Sequence, residues 1–283
     1  MRAPELSLLL PEWQGYGLGA DVHHGATSLA AQWFGDGADV LKIDAPVTEA
    51  EPLRVDDGVL GLASIAPRFV HALHALGERA PDRIRVAGGT CGVELAPIAY
   101  LNERYAGDLA VLWLDAHADL NTPQSSPSAH FHGMVLRSLL GDGPRALVDH
   151  IARPLTPRQV VLVGPRDLDQ AEADFVRDAD IALLGDNAFS DFHVIDRWLA
   201  SRSVRRLYIH FDVDVLAMSA FDGALLPTPP GAPTLAQASA LIAHLRSHYD
   251  VVGLSVLELC DRGGAIPQVV SALGDAPPAF PQV

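Results

Sequence analysis

Residues 109–119 read Leu-Ala-Val-Leu-Trp-Leu-Asp-Ala-His-Ala-Asp. An apolar run that passes directly into alternating ligand-type side chains describes a strand buried on both faces, ending where the polar residues begin. Asp115, His117 and Asp119 fall at i, i+2 and i+4, so an extended backbone projects all three to one side. Four more apolar runs behave alike. RIRVA (residues 83–87) leads to Gly88-Gly89-Thr90-Cys91, and residues 160–163 lead to Arg166-Asp167-Leu168-Asp169. RLYIHF (206–211) leads to Asp212-Val213-Asp214, and VVGLSVL (251–257) to Glu258; residues 181–184 form a further apolar run.

Segments with helical spacing lie between these runs, at residues 62–76, around 93–103 and at 234–248. The alternation predicts an α/β fold of three αβα layers around a mostly parallel sheet, as a single domain over residues 1–283. The Pro/Gly-rich stretch 224–233 falls inside the alternation and is expected to be a loop. Ligands of open parallel sheets sit beyond the carboxyl ends of the strands, where all five polar clusters converge.

The balance of 20 basic and 35 acidic residues gives a net charge of −15. No Lys/Arg stripe is available to neutralise phosphates, which excludes a nucleic-acid partner. Two distant cysteines, Cys91 and Cys260, make no disulfide framework and suit a reducing cytoplasm. The start, MRAPELSLLLPEW, lacks the long apolar core and cleavage site of an export signal, and no apolar run reaches membrane-spanning length. A soluble, cytoplasmic protein without a membrane partner is expected.

One Asp-x-Asp alone is usually a solvated turn or a helix cap. Four carboxylates and an imidazole at one sheet edge are different, because their mutual repulsion in a low dielectric amounts to several kcal/mol or more. Two divalent cations bridged by carboxylates would resolve it, and an oxygen-rich set with an imidazole suits Mn2+. Such a pair lowers the pKa of a shared water and turns it into a nucleophile.

At this point the sequence resembles a known family. Residues 115–134, DAHADLNTPQSSPSAHFHGM, are similar to the central signature of arginases, from the DAHxD core through the NTP turn to the His-Gly pair. FDVDVL (211–216) resembles their second metal signature, GPRDLDQAE (164–172) their Arg-Asp-x-Asp segment, and LSVLEL (254–259) their late strand ending in Glu. The resemblance spans residues 83–260 and implies an arginase-like fold holding two Mn2+. By it, Asp115 and Asp212 bridge both cations, Asp119 binds the first, and His117 and Asp214 bind the second. His132 matches a histidine that shuttles protons near the mouth of the site; of the pair His130 and His132, its place beside Gly133 favours His132. Asn121, Ser128 and Asp169 match positions that hold the α-carboxylate and α-amine of an amino acid, and Glu172 an acidic position near that amine. Glu258 matches the carboxylate that receives a guanidinium, a planar permanent cation best held in that way. Asp119 would accept the proton of the attacking water and pass it to the leaving amine.

The pattern departs from the family where Thr90-Cys91-Gly92 stand for Asp-His-Ser, so that Cys91 replaces a histidine ligand of the first cation. A thiolate there is softer than imidazole and opens the site to Fe2+, Co2+ or Zn2+; the alternative is a small buried apolar Cys. Beside cations, Cys91 is expected to ionise. Ala217-Met218 replaces the family's Asp-Pro pair, and residues 226–234 follow its Gly-Thr-Pro stretch only loosely. His210, one step back from Asp212 on the same strand face, is expected to support the ligands rather than join them.

The resemblance implies cleavage of the guanidinium of L-arginine, or of Nω-hydroxy-L-arginine, to ornithine plus urea or hydroxyurea. The branch that acts on hydroxyarginine on the way to D-cycloserine carries a Cys at this ligand position. Agmatine lacks the amino-acid head that Asn121 and Asp169 suit. Formimidoylglutamate hydrolysis would want a cation for a second carboxylate, and the loops offer none. Loss of the first cation would instead leave a non-catalytic arginine-binding relative.

Overall fold

Strands buried on both faces must stack side by side between helices. The computed structural model shows how this chain does so; it describes residues 5–49, 51–202, 204–217, 221–227 and 231–274. Met218 and residues 228–230, which the sequence comparison touched, lie outside them.

The main sheet is built from β1 (Glu5–Leu10), β2 (Val40–Lys42), β5 (Arg83–Gly88), β6 (Ala110–Leu114), β7 (Val160–Val163), β8 (Ala182–Leu184), β9 (Arg206–Asp212) and β10 (Asp250–Leu257). A separate antiparallel ribbon pairs β3 (Val55–Asp56) with β4 (Val59–Leu60). The strand order is β2-β1-β5-β10-β9-β6-β7-β8, and every pairing in the main sheet is parallel. The three-layer αβα expectation is therefore met.

Alternation along each strand sorts side chains between two cores. Val111, Trp113 and Tyr208 point to one face with Val86, under α2 (Leu62–Arg79), α3 (Leu95–Arg104) and α4 (Val135–Leu139). Leu112, Leu114, Ile209 and Phe211 point to the other, under α1 (Ala20–Trp33), α8 (Leu235–His248) and α9 (Ala265–Leu273). Three shorter helices, α5 (Arg145–Val148), α6 (Gln170–Asp178) and α7 (His193–Ala200), complete the two outer layers.

The expected strands lie within one or two residues of their observed bounds. The strand β1 is not among the runs expected above, because a short SLLL run near the chain start suits the core of an export signal as well as a strand. In the fold that run is an interior strand, paired along its length with Arg83–Gly88.

The chain leaves β5 through Gly88-Gly89, where it crosses the segment after β1. A Cβ on Gly89 would lie 1.9 Å from the carbonyl oxygen of Glu12. The backbones touch so closely that only glycine fits. This contact sets the position of Thr90, whose amide donates to the Glu12 carbonyl at 2.8 Å, and of Cys91 after it. Gly89→Ala is expected to cost about 2–4 kcal/mol by forcing these backbones apart. A urea melt of the purified variant reads this as a lowered midpoint; an unchanged midpoint would show that the crossing can yield.

Candidate metal centre

Four central strands, β5, β10, β9 and β6, deliver Cys91, Glu258, Asp212 and Asp115 from their carboxyl ends to one place. The chain order reverses across these strands, since β5 and β6 are consecutive along this part of the chain yet have β10 and β9 between them. A crevice at such a switch is where parallel sheets bind ligands.

Asp115 follows Trp113 on one strand face, and each of its oxygens is held. Oδ1 accepts from the His117 amide at 2.6 Å, and Oδ2 accepts from the Trp113 indole at 3.2 Å. Asp212 ends β9; its Oδ1 accepts from the Asp214 amide at 2.8 Å, and its Oδ2 accepts from the Cys91 thiol at 3.0 Å. Asp214 accepts from the Ala116 amide at 3.1 Å and lies 2.9 Å from His117 Nδ1. Asp115, His117 and Asp214 thus bring one donor atom each within 4.8 Å of one another. Cys91, Asp115, Asp119 and His210 form a second such group, and Cys91, Asp212 and Glu258 a third.

Two of these carboxylates are held in backbone conformations that L-residues rarely adopt. Asp119 has φ 54° and Glu258 φ 57°, each at a cost of about 1–3 kcal/mol. Both are buried, and Asp119 Oδ2 and Glu258 Oε2 have no hydrogen-bond partner. A buried carboxylate oxygen left open in this way is expensive unless a cation or a strong donor meets it. The donor set of carboxylates, imidazole and thiol fits divalent metal ions.

The charges confirm how crowded the site is. Burial, then the neighbouring carboxylates, push the acids of Asp119 and Asp212 far above the usual carboxylate range. Burial and Asp115 raise Asp214 to about 6, against the pull of His117. Asp115 moves the other way: burial opposes ionisation, but the hydrogen bonds from His117 and His210 win. Burial and four carboxylates also push the Cys91 thiol well up, so without cations it stays protonated. The ionised Cys91 expected from sequence therefore needs the cations to exist.

A cleft opens above this cluster, lined by His117, Asp119, Asp212 and Asp214 at its floor. Asn121, Ser128, His132, Asp169 and Glu172 are on its walls. Asn121 donates to Asp169 at 2.8 Å and accepts from Ser125 at 2.8 Å. Glu172 has both oxygens engaged, with the Leu120 and Asp169 amides at 2.9 Å each. It caps α6 as half of a capping box with Asp169 and fixes the wall from behind. His132 Nδ1 lies 3.2 Å from Glu258 Oε1, which also accepts from the Cys91 amide at 2.9 Å. His130 does not line the cleft; it stacks edge-on with Tyr16.

The sequence reading did not anticipate a polar layer beneath the cluster. Glu94, fully buried, accepts from the Tyr208 hydroxyl at 2.5 Å and from Ser255, and lies 2.9 Å from His210 Nδ1. The His210 ring stacks on Trp113, with centroids 3.5 Å apart and planes 8° apart. The available signal was the period of two: Tyr208, His210 and Asp212 share one strand face.

The sequence model of the Arginase family matches residues 47–260. The chain belongs to the arginase family. Among its relatives, the arginase of Staphylococcus aureus (strain MRSA252) is 36% identical over 139 residues, 46% of this chain and 45% of that protein. The arginase of Bacillus caldovelox is 30% identical over 196 residues, 66% of this chain and 65% of that protein. The matched stretch is thus about half the length of the first of these arginases and about two thirds of the second. The arginase-family fold extends further than the sequence match: the Entamoeba histolytica arginase solved with L-ornithine superimposes with a TM-score of 0.83 at 19% identity, covering 96% of this chain and 99% of that one. Among the described residues, no helix is long and apolar enough to cross a membrane.

The raised acids predict how the metal-free protein responds to pH. A carboxyl group whose pKa is higher folded than unfolded binds more protons in the folded state, so stability falls as pH rises between the two values. For Asp214 that window runs from 3.8 to about 6, and Asp119 and Asp212 extend it upward. His117, raised by Asp115 and Asp214 despite its burial, adds a loss in the same direction above 6.5. The opposing contribution of Asp115 lies below 3.8. Chelator-treated protein is therefore expected to melt at a lower temperature at pH 7.5 than at pH 5.5, and added Mn2+ to restore more at pH 7.5. A melting temperature that rises between those pH values would contradict this electrostatic account.

Proposed function

We propose that the chain is a binuclear-metal amidinohydrolase that cleaves the guanidinium of L-arginine or Nω-hydroxy-L-arginine, giving ornithine plus urea or hydroxyurea. The observation that carries the reading is the buried convergence of Cys91, Asp115, His117, Asp119, Asp212 and Asp214 below a cleft walled by amino-acid-type binding groups. Membership of the arginase family supports it, as does the L-ornithine held by the Entamoeba histolytica relative.

In this reading Asp115 and Asp212 would be held in common by two cations, Cys91 and Asp119 would complete the first site, and His117 and Asp214 the second. Two Mn2+ are proposed, with a softer metal able to replace the one beside Cys91. Bound cations supply the Lewis acidity that lowers the pKa of a water.

The remaining tasks fall to the chain's own side chains. Glu258 Oε2, buried and without a partner, receives the guanidinium. Asn121 keeps one amide hydrogen beyond the one given to Asp169, and with the Ser128 hydroxyl offers neutral donors to the substrate α-carboxylate. Asp169 meets the α-amine, held in place by Glu172 through its backbone amide. Water adds to the guanidinium carbon; Asp119 takes its proton and delivers it to the nitrogen whose bond to that carbon breaks. His132, between the cleft and Glu258, exchanges the surplus proton with solvent.

Incubation with Mn2+ and each substrate, with colorimetric detection of urea or hydroxyurea, tests the reading. Asp115→Ala and Asp212→Ala are each expected to lower kcat/KM at least about 10^3-fold, the loss of roughly 4 kcal/mol in the transition state. Release of neither product by the Mn2+-loaded protein would overturn the proposal. The ratio of kcat/KM for the two substrates assigns the true one.

A further inference from the structure

We infer that His210 is itself a metal ligand, binding through Nε2 at the inner site that Cys91, Asp115 and Asp119 share. The inference rests on the two-cation reading above and extends it to a residue that the sequence placed only in support.

The first argument is the direction of the ring. His210 is wholly buried in the middle of the sheet, between Ser255 on β10 and Trp113 on β6. Its Nδ1 lies 2.9 Å from Glu94 Oε1, and Glu94 is fixed by Tyr208 and Ser255. A carboxylate at that distance holds the Nδ1–H toward Glu94, so Nε2 is the nitrogen that faces the cluster, shared with Asp115 in the metal-free protein and able to bind a cation in place of its proton. Trp113 stacked at 3.5 Å holds the plane of the ring.

The second argument is what Nε2 faces. Its neighbours are Asp115 Oδ2 at 3.4 Å and Cys91 Sγ at 3.7 Å, both longer than a well-formed hydrogen bond. Three donor atoms turned toward one point at these separations leave room for a cation in place of the weakly shared proton. Metal–ligand bonds of about 2.0–2.3 Å hold neighbouring donors of one ion roughly 3–3.8 Å apart, a range that takes in both separations. Asp119, whose Oδ2 is buried without a partner, belongs to the same group of donors.

The third argument is the support. Metal-bound imidazoles give their other N–H to a carboxylate or carbonyl, and Glu94 stands in that position. A histidine serving only to fill the core would not need three polar side chains, Glu94, Tyr208 and Ser255, buried behind it.

Co2+ serves as the probe, because a paramagnetic ion shifts the exchangeable N–H protons of ligated imidazoles far outside the normal proton NMR window. The Co2+-loaded full-length protein is expected to bind two ions and show two such resonances. One belongs to His117 at the cleft, and one, slow to exchange because it is buried against Glu94, belongs to His210. His210→Gln is expected to remove the slow resonance and weaken binding of the inner ion by more than about 100-fold, and Glu94→Gln, which keeps the ring, by about 10-fold. The wild-type count does not depend on either variant folding. Two bound ions with a single shifted imidazole proton would overturn the ligand assignment and leave the two-cation reading standing. Failure to bind Co2+ at all would overturn both.

Discussion

Carboxylates gathered out of water repel one another, and the centre of this fold is arranged around that fact. Asp115, Asp119, Asp212, Asp214 and Glu258 are all at most 4% exposed, at the ends of neighbouring strands. Among the described residues no Lys or Arg side chain bonds any of these carboxyl groups; backbone amides, the Trp113 indole, His117, His132, His210 and a thiol do. Those groups orient the acids but do not neutralise five negative charges, and the upward push on Asp119, Asp212 and Asp214 records the remainder. Everything else that is unusual nearby follows from holding this arrangement: the glycine crossing at Gly89 and the left-handed backbone at Asp119 and Glu258.

The walls of the cleft are held in a different way, by mutual hydrogen bonds rather than by strain. Ser125 fixes Asn121, Asn121 fixes Asp169, and Glu172 ties Asp169 to the backbone at Leu120. A substrate meeting this wall finds its donors and acceptors already oriented, which limits the ordering entropy that binding has to overcome. Arg166 ties the segment after β7 to the one after β9 in the same manner, donating to the Gly164 and Val215 carbonyls and to Asp186.

Much of this was legible in the sequence, for physical reasons that also mark its limit. Strands such as Val160–Val163, buried on both faces, leave an unbroken apolar run, and the polar residues that end each run announce the functional edge. Glu5–Leu10 is also an interior strand, but a single short run near a chain start has several readings, and only its pairing with Arg83–Gly88 decides among them. The family resemblance puts Glu172 near the substrate amine. It does line the cleft, yet its hydrogen bonds are those of a helix cap, a role that a spacing of three from Asp169 also encodes. His210 was visible as a neighbour of Asp212 on one strand face. Which way its ring turned was not, because that depends on Glu94, which is 116 residues away along the chain.

The depth of the cluster has a kinetic consequence. The cleft reaches His117, Asp119, Asp212 and Asp214, whereas Cys91 and His210 lie behind them, at 1% and 0% exposure. For the two cations proposed here, Asp119 and Asp212 meet the cleft while Cys91, on the same cation, is sealed from it. Release of that ion would begin at the two carboxylates and end at a thiolate that water does not reach, so exchange there would be slower than at His117 and Asp214. The metal content of the protein would then reflect which ions it met early as well as their affinities.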